Sequence, residues 1–222
     1  MSAVIETAEL ASARRAGIVL VAATIVSILA MAHHPSVASH DAGAAIAEIG
    51  TKATLNRIVH GVLIALMGLE AYAFAVFAHR IGARRDAVRL GFVAYAIGIG
   101  AMIGAALISG FVVTRLASHY AEAGADPDAF ANLARLAMAG NQSLAQLGVI
   151  AISVAILAWS VALLHDRAQR WLAIVGLAAS VLPALALVAG LIQLDVSGMT
   201  LVVVAEAIWN IAAGVALIRG RL

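Results

Sequence analysis

The sequence contains no cysteine. That absence removes disulfides, thiolate metal sites, iron–sulfur clusters and cysteine nucleophiles, and it leaves the redox compartment undetermined. Charge is scarce as well. Only 12% of the 222 residues are charged while 64% are apolar, and the mean hydropathy is +1.02; soluble domains carry about 25% charged and about 45–50% apolar residues. No soluble core absorbs that excess. Also missing are a Walker motif, GxSxG, a GxGxxG after a strand, HExxH, an HxxxH on a helix and CxxC. Nucleotide-driven transport, hydrolase chemistry and the helical histidine pairs of di-iron or di-copper oxygenases therefore lack their usual carriers in this chain.

What is present is a series of apolar runs, each of about 20 residues, the length that crosses ~30 Å of hydrocarbon at 1.5 Å per residue. The reading is an all-α integral membrane protein, a single six-transmembrane-helix bundle over residues 1–222. Its spans are Ala16–Ala32, Asn56–Ala78, Leu90–Thr114, Leu144–Leu164, Trp171–Gln193 and Met199–Ile218. Residues 1–13 precede them as a frayed or surface-lying segment. The first run leads into His33, His34 and Pro35 rather than into a small-residue cleavage site, so it is expected to be retained as a helix.

Arg14, Arg15, Arg80, Arg84, Arg85, Arg89, Arg167, Arg170, Arg219 and Arg221 collect at one set of span ends; Lys52, Arg57, Arg115 and Arg135 lie at the other. This bias predicts N-in/C-in topology in a bacterial inner membrane, with the richer side cytoplasmic. It also accounts for a pI near 9.5 without a nucleic-acid partner. Tight turns at Ile81–Arg89 and His165–Arg170 join antiparallel neighbours, so the chain reads as helical hairpins, with no residue-level repeat. The outer connections, His33–Leu55 and Ala117–Ser143, are longer, and each is expected to hold a short interfacial helix. Asp41 would cap one running through Ile46 and Ile49. Asp126-Pro127 would start the other, with Phe130, Leu133, Leu136 and Ala137 on one face.

Gly100 and Gly104 form a GxxxG that Ala96 extends, which predicts close helix packing inside the bundle, or contact with a partner membrane protein or a second copy. Pro183 removes a backbone bond to Ala179 and should kink its span.

Glu70 and Glu206 fall near the middle of spans with no Lys or Arg at matching depth. A charge there costs a few kcal/mol, so each acid must be protonated, bind a cation, or face water or protein. Asn210 shares the face of Glu206, and Gly214 continues it. Glu70 has only apolar neighbours on its own helix and needs a partner from another, with Asn210, Tyr95 and Ser27 available. Glu70, Glu206 and Asn210 are thus a candidate proton or cation site.

Histidine supplies the second constellation. His33, His34, His40, His60 and His119 fall on the outer side, and Met31 and Asp41 flank the first of them. Imidazole suits copper, zinc and haem iron, and a thioether favours copper(I). His33, His34, His60, Met31 and His40 are the candidate metal ligands. His79 and His165 end cytoplasmic helix termini, where a cation complements the dipole. Asn141, Gln142, Ser143 and Gln146 open the fourth span and, with Arg57, Arg115 and His60, offer a polar vestibule. The functional reading is a small membrane protein with an outward-facing histidine-rich site for a metal or metallocofactor. A proton- or cation-coupled transporter using Glu70 and Glu206, and an accessory subunit of a larger complex, are the alternatives.

Overall fold

The computed structural model describes residues 2–35, 42–123, 126–164 and 166–222, and among them every element is helical. In chain order they are α1 (Ser2–Ala32), α2 (Ala42–Arg80), α3 (Asp86–Leu107), α4 (Val113–Ala123), α5 (Pro127–Leu163), α6 (Arg170–Val188) and α7 (Val196–Ile218). A π-helical turn, Ile108–Val112, carries α3 directly into α4. With that rod counted once, six helices are long and apolar enough to cross a membrane. Leu90, Ile97, Leu182 and Leu201 are each more than half exposed on them. Such faces suit lipid, where an outward leucine costs nothing.

The long outer connections differ from expectation. In place of a loop with a short interfacial helix, α2 runs unbroken for 39 residues, about 58 Å at 1.5 Å per residue, nearly twice the ~30 Å hydrocarbon core. The α5 helix is similar, at 37 residues. Both begin well outside the apolar spans because nothing there stops a helix: residues 44–55 are rich in alanine, and Lys52 pairs with Glu48 one turn away at 2.7 Å. Residues 7–13 likewise belong to α1, with Ala13 buried. Asp126 does cap α5, its side chain accepting from the Asp128 amide at 3.0 Å with proline in the first turn. On the expected face only Phe130 is buried, against Ile46 and Ala117, whereas Leu133 and Leu136 are exposed. Asp41, the expected cap of the other segment, lies outside the described residues, as do His40 and His165.

The glycine expectation also shifts. A side chain at Gly100 would meet nothing within 4 Å, and one at Gly104 only Leu144. The close approach uses Gly98, where a Cβ would stand 3.0 Å from the Ile152 amide and 3.1 Å from the Gly148 carbonyl. The α3 and α5 backbones meet there, two residues and about 200° round the helix from the predicted stripe. Pro183 lies inside α6 and is buried.

At the arginine-rich end, side chains tie the helix ends together. Arg14 Nε donates to Ile218 O at 3.2 Å, Arg85 Nη1 to Ala162 O at 3.2 Å, Arg80 to Leu222 O and Gln169 to Arg221 O. Above this lies the main core, centred on Phe74, Phe77, Tyr95, Trp159 and Trp209. Phe74 stacks on Trp159 at 5.2 Å, and the Trp159 ring N–H donates to Val88 O at 3.2 Å. That half of the bundle is closely packed with aromatic rings. The other half encloses a cavity.

Candidate functional site

The cavity, of about 170 Å³, is lined by α1, α2, α3 with its π turn, α5 and α7. An apolar cavity of comparable size, about 150 Å³, takes up benzene, so there is room here for small ions, waters or small solutes. Each helix contributes a stripe at three- and four-residue spacing. From α1 come Thr24, Ser27 and Met31, with His34 just past its end; from α2, His60, Leu63, Met67 and Glu70; from α7, Met199, Val203, Glu206 and Asn210. That spacing keeps one face of a helix toward a common axis. His60 and Glu70 therefore belong to a single wall, about 15 Å apart along it at 1.5 Å per residue. The histidine and carboxylate constellations share one cavity.

The wall at His60 is built by the π turn. There the Val113 amide bonds to Ile108 O, five residues back, and the widened turn leaves carbonyls open to side chains. Asn56 Nδ2 donates to Ser109 O at 3.1 Å, Asn141 Nδ2 to Ala105 O at 2.7 Å, and the Thr114 hydroxyl to Gly110 O at 2.8 Å. Gly110 lies directly against His60, where any Cβ would collide with the imidazole-bearing side chain. His60 is only 4% exposed, so its ring is fixed from behind.

The facing ring is His34. Its Nε2 lies 3.3 Å from Nε2 of His60, with the ring centroids 4.8 Å apart and the planes at 70°. A backbone carbonyl can only accept, so the other nitrogens decide the tautomers. His60 Nδ1–H donates to Asn56 O at 2.9 Å and His34 Nδ1–H to Pro35 O at 2.9 Å. With both Nδ1 positions protonated, two neutral rings aim their Nε2 lone pairs at each other. Such a pair is stable with a positive charge between them, either a proton on one Nε2 or a metal ion held by both. Two nitrogens bound to one tetrahedral ion at about 2.0–2.1 Å sit about 3.3 Å apart, and the rings already have that spacing.

Met31 is buried against Val59 and Leu63 and, with Leu63, lines the cavity. His33 does not join: it is exposed, and its Nδ1–H donates to Leu29 O at 2.8 Å on its own helix. His119 stands edge-on to Tyr120 in α4, away from the cavity. Of the expected vestibule, Asn141 and His60 reach the cavity. Gln142 Nε2 instead donates to Leu194 O at 2.9 Å, Ser143 to Ala139 O at 2.9 Å, and Arg57 Nε to Thr114 Oγ1 at 3.3 Å. Among the described residues no group of three or more His, Asp and Glu side chains is placed to hold a metal; the pair here is two imidazoles with a thioether nearby.

At the far end, Glu70, Glu206 and Asn210 line the same cavity, with Glu70 near enough for its charge to bear on Glu206. Thr24 stands beside Glu70 with its single hydroxyl proton given to Leu20 O at 2.8 Å, so it meets that carboxyl as an acceptor. Glu206 Oε1 is buried with no hydrogen-bond partner. One turn beyond Glu70, Phe74 and the aromatic core seal the cavity. Thr24, Met67, Met102 and Met199 were not singled out from the sequence, although four of its six methionines, Met31 included, line this one space. Continuing the three-and-four spacing from His60 and from Glu206 finds Met67 and Met199. Comparison with protein-family models, with curated proteins and with solved structures finds no match for the chain in any of the three.

Proposed function

We propose that this membrane protein binds a soft transition-metal ion, copper(I) by the chemistry of its donors, between His34 and His60 at the mouth of the cavity, with Met31 as the thioether ligand. The observation that carries the reading is the pair of opposed Nε2 atoms at 3.3 Å, each committed to accept because its Nδ1 already donates to the backbone. Imidazole and thioether together favour copper(I) over magnesium, calcium or manganese. The arginine bias at the opposite end supports a mouth facing out of the cytoplasm in a bacterial inner membrane. Reporter fusions at residue 126 should then read external and those at residue 85 cytoplasmic.

The test is metal content and affinity of the purified protein, extracted without chelator and reloaded with copper(I) or its surrogate silver(I). The wild type should hold one ion per chain. His60→Ala and His34→Ala should each lose at least about 100-fold in affinity, since even outer-shell changes cost 10- to 100-fold. His33→Ala, off the cavity, should bind like the wild type. A wild type that cannot be loaded would leave the opposed rings sharing only a proton, and the accessory-subunit reading would lead.

A further inference from the structure

We infer that Glu70 and Glu206 form a second and chemically different site at the sealed end of the cavity, holding one hard monovalent cation, a proton or sodium, between their carboxyl groups. The inference is independent of which ion sits at His34 and His60.

Two carboxyl groups line this end of the cavity, near enough for the charge of Glu70 to bear on Glu206, and among the described residues no Lys or Arg lines it. Both cannot be charged and unpartnered in a desolvated space, because their repulsion adds to the cost of burial. One positive charge between them removes that conflict. The second observation is Glu206 Oε1, which is buried and has no hydrogen-bond partner. Buried polar atoms are nearly always paired in folded proteins, so an orphan carboxyl oxygen that lines a cavity has a place there for a proton, a water or an ion.

The remaining donors define the chemistry. The Thr24 hydroxyl donates to Leu20 O at 2.8 Å and so keeps its oxygen lone pairs available. Ser27 and Asn210 line the same end of the cavity. Oxygen donors of this kind suit hard cations, whereas the mouth offers nitrogen and sulfur. Neighbouring titratable groups are few. Tyr95 from α3 lies close enough to sense both acids. Among the described residues, α1 adds only Thr24 and Ser27 at this depth and α5 adds Asn141, Ala145 and Ile152, none titratable; His34, His60 and Asp195 lie at the mouth. A cation that displaces the proton sends it to solvent through that mouth, one proton released for each sodium bound.

Infrared difference spectroscopy on the purified full chain tests this, with copper and silver excluded so that the mouth contributes nothing. The wild type should show a protonated-carboxyl stretch that disappears as pH is raised between about 5 and 9, the range over which buried carboxyls titrate. Glu70→Gln and Glu206→Gln should each abolish that titrating signal. Should either variant fail to fold, Asn210→Ala should shift the titration while retaining both acids. Loss of the band on adding sodium at fixed pH, with one proton released per ion, assigns the site to sodium and proton in exchange. A titrating band indifferent to sodium assigns it to the proton alone. A band that neither pH nor sodium moves would make the carboxyls fixed interhelical glue and overturn the inference. So would the absence of both a band and sodium binding, or a titrating band that survives in both Gln variants.

Discussion

One stripe of α2 runs through two opposite environments. From His60 through Leu63 and Met67 to Glu70 it lines a cavity with polar ends; from Phe74 through Phe77 to Ile81 it lies in a closely packed core. Spacing and helix are the same in both halves. The difference lies in what the neighbours bring. Beside the second half, Trp159 and Trp209 fill the axis with rings, Trp159 holding Val88 O through its N–H. Beside the first half, α1, α3 and α7 bring methionine, serine, threonine and alanine, which leave about 170 Å³ unfilled. The aromatic half gains packing and the other half forgoes it, and that is where ionisable groups collect. Space kept open against the pressure to pack is a sign of use.

The largest contrast comes from truncating each half. Trp159→Ala should lower stability by about 3–5 kcal/mol, the usual cost of emptying a large core site, while folded molecules keep their metal. His60→Ala should do the reverse, losing metal with a small change in thermal midpoint. Thermal unfolding in detergent, paired with metal analysis of the folded fraction, reads both. If His60→Ala unfolds the protein as severely as Trp159→Ala, the two halves are one structural core and the comparison fails.

A smaller contrast separates the two glycine positions. Gly98→Ala forces a methyl against the Ile152 amide and the Gly148 carbonyl and should cost about 1–3 kcal/mol through overpacking. Gly100→Ala meets open space and should stay within about 0.5 kcal/mol of the wild type. Equal thermal midpoints for the two variants would place the α3–α5 contact elsewhere.

The smallest effect is the pH dependence of loading. Burial holds the His34 imidazole below its ordinary value of 6.5, and the hydrogen bond to Pro35 only partly offsets this. Protons compete with the metal for Nε2, so a lowered pKa moves that competition to lower pH. The metal should stay bound at pH 6.5 and be released only below it, in an equilibrium-dialysis series from about pH 7.5 to 5. Release already complete above 6.5 would contradict the protected ring.

Much of this fold was legible from the chain. The six apolar lengths and the Asp126-Pro127 start follow from hydropathy and capping chemistry, which are local properties. The long extensions of α2 and α5 differ from the short separate helices expected in those connections because a drop in hydropathy marks the edge of lipid, not the end of a helix. Residues 42–55 leave the bilayer length and stay helical. Gly100 drew attention as a motif, but which glycine meets a neighbour depends on helix rotation, which pairwise spacing does not reveal. The site was visible in parts. Met31, His34 and His60 were expected to meet and do line one cavity. His33 could not be told from His34, since two adjacent residues point about 100° apart on a helix and only the neighbour's position selects one. Joining His60 to Glu70 needed the helical period to be followed through the apolar residues between them.

X-ray absorption on the copper(I)-loaded protein reads whether His34, His60 and Met31 hold one soft metal ion, as proposed. Two nitrogen atoms at about 2.0 Å and one sulfur at about 2.3 Å are expected around the metal, with zinc–imidazole and zinc–sulfur distances as the guide. The sulfur should vanish in Met31→Leu and the nitrogen shell should be lost in His60→Ala. A shell of light atoms only, unchanged in both variants, would place the metal elsewhere and contradict the account.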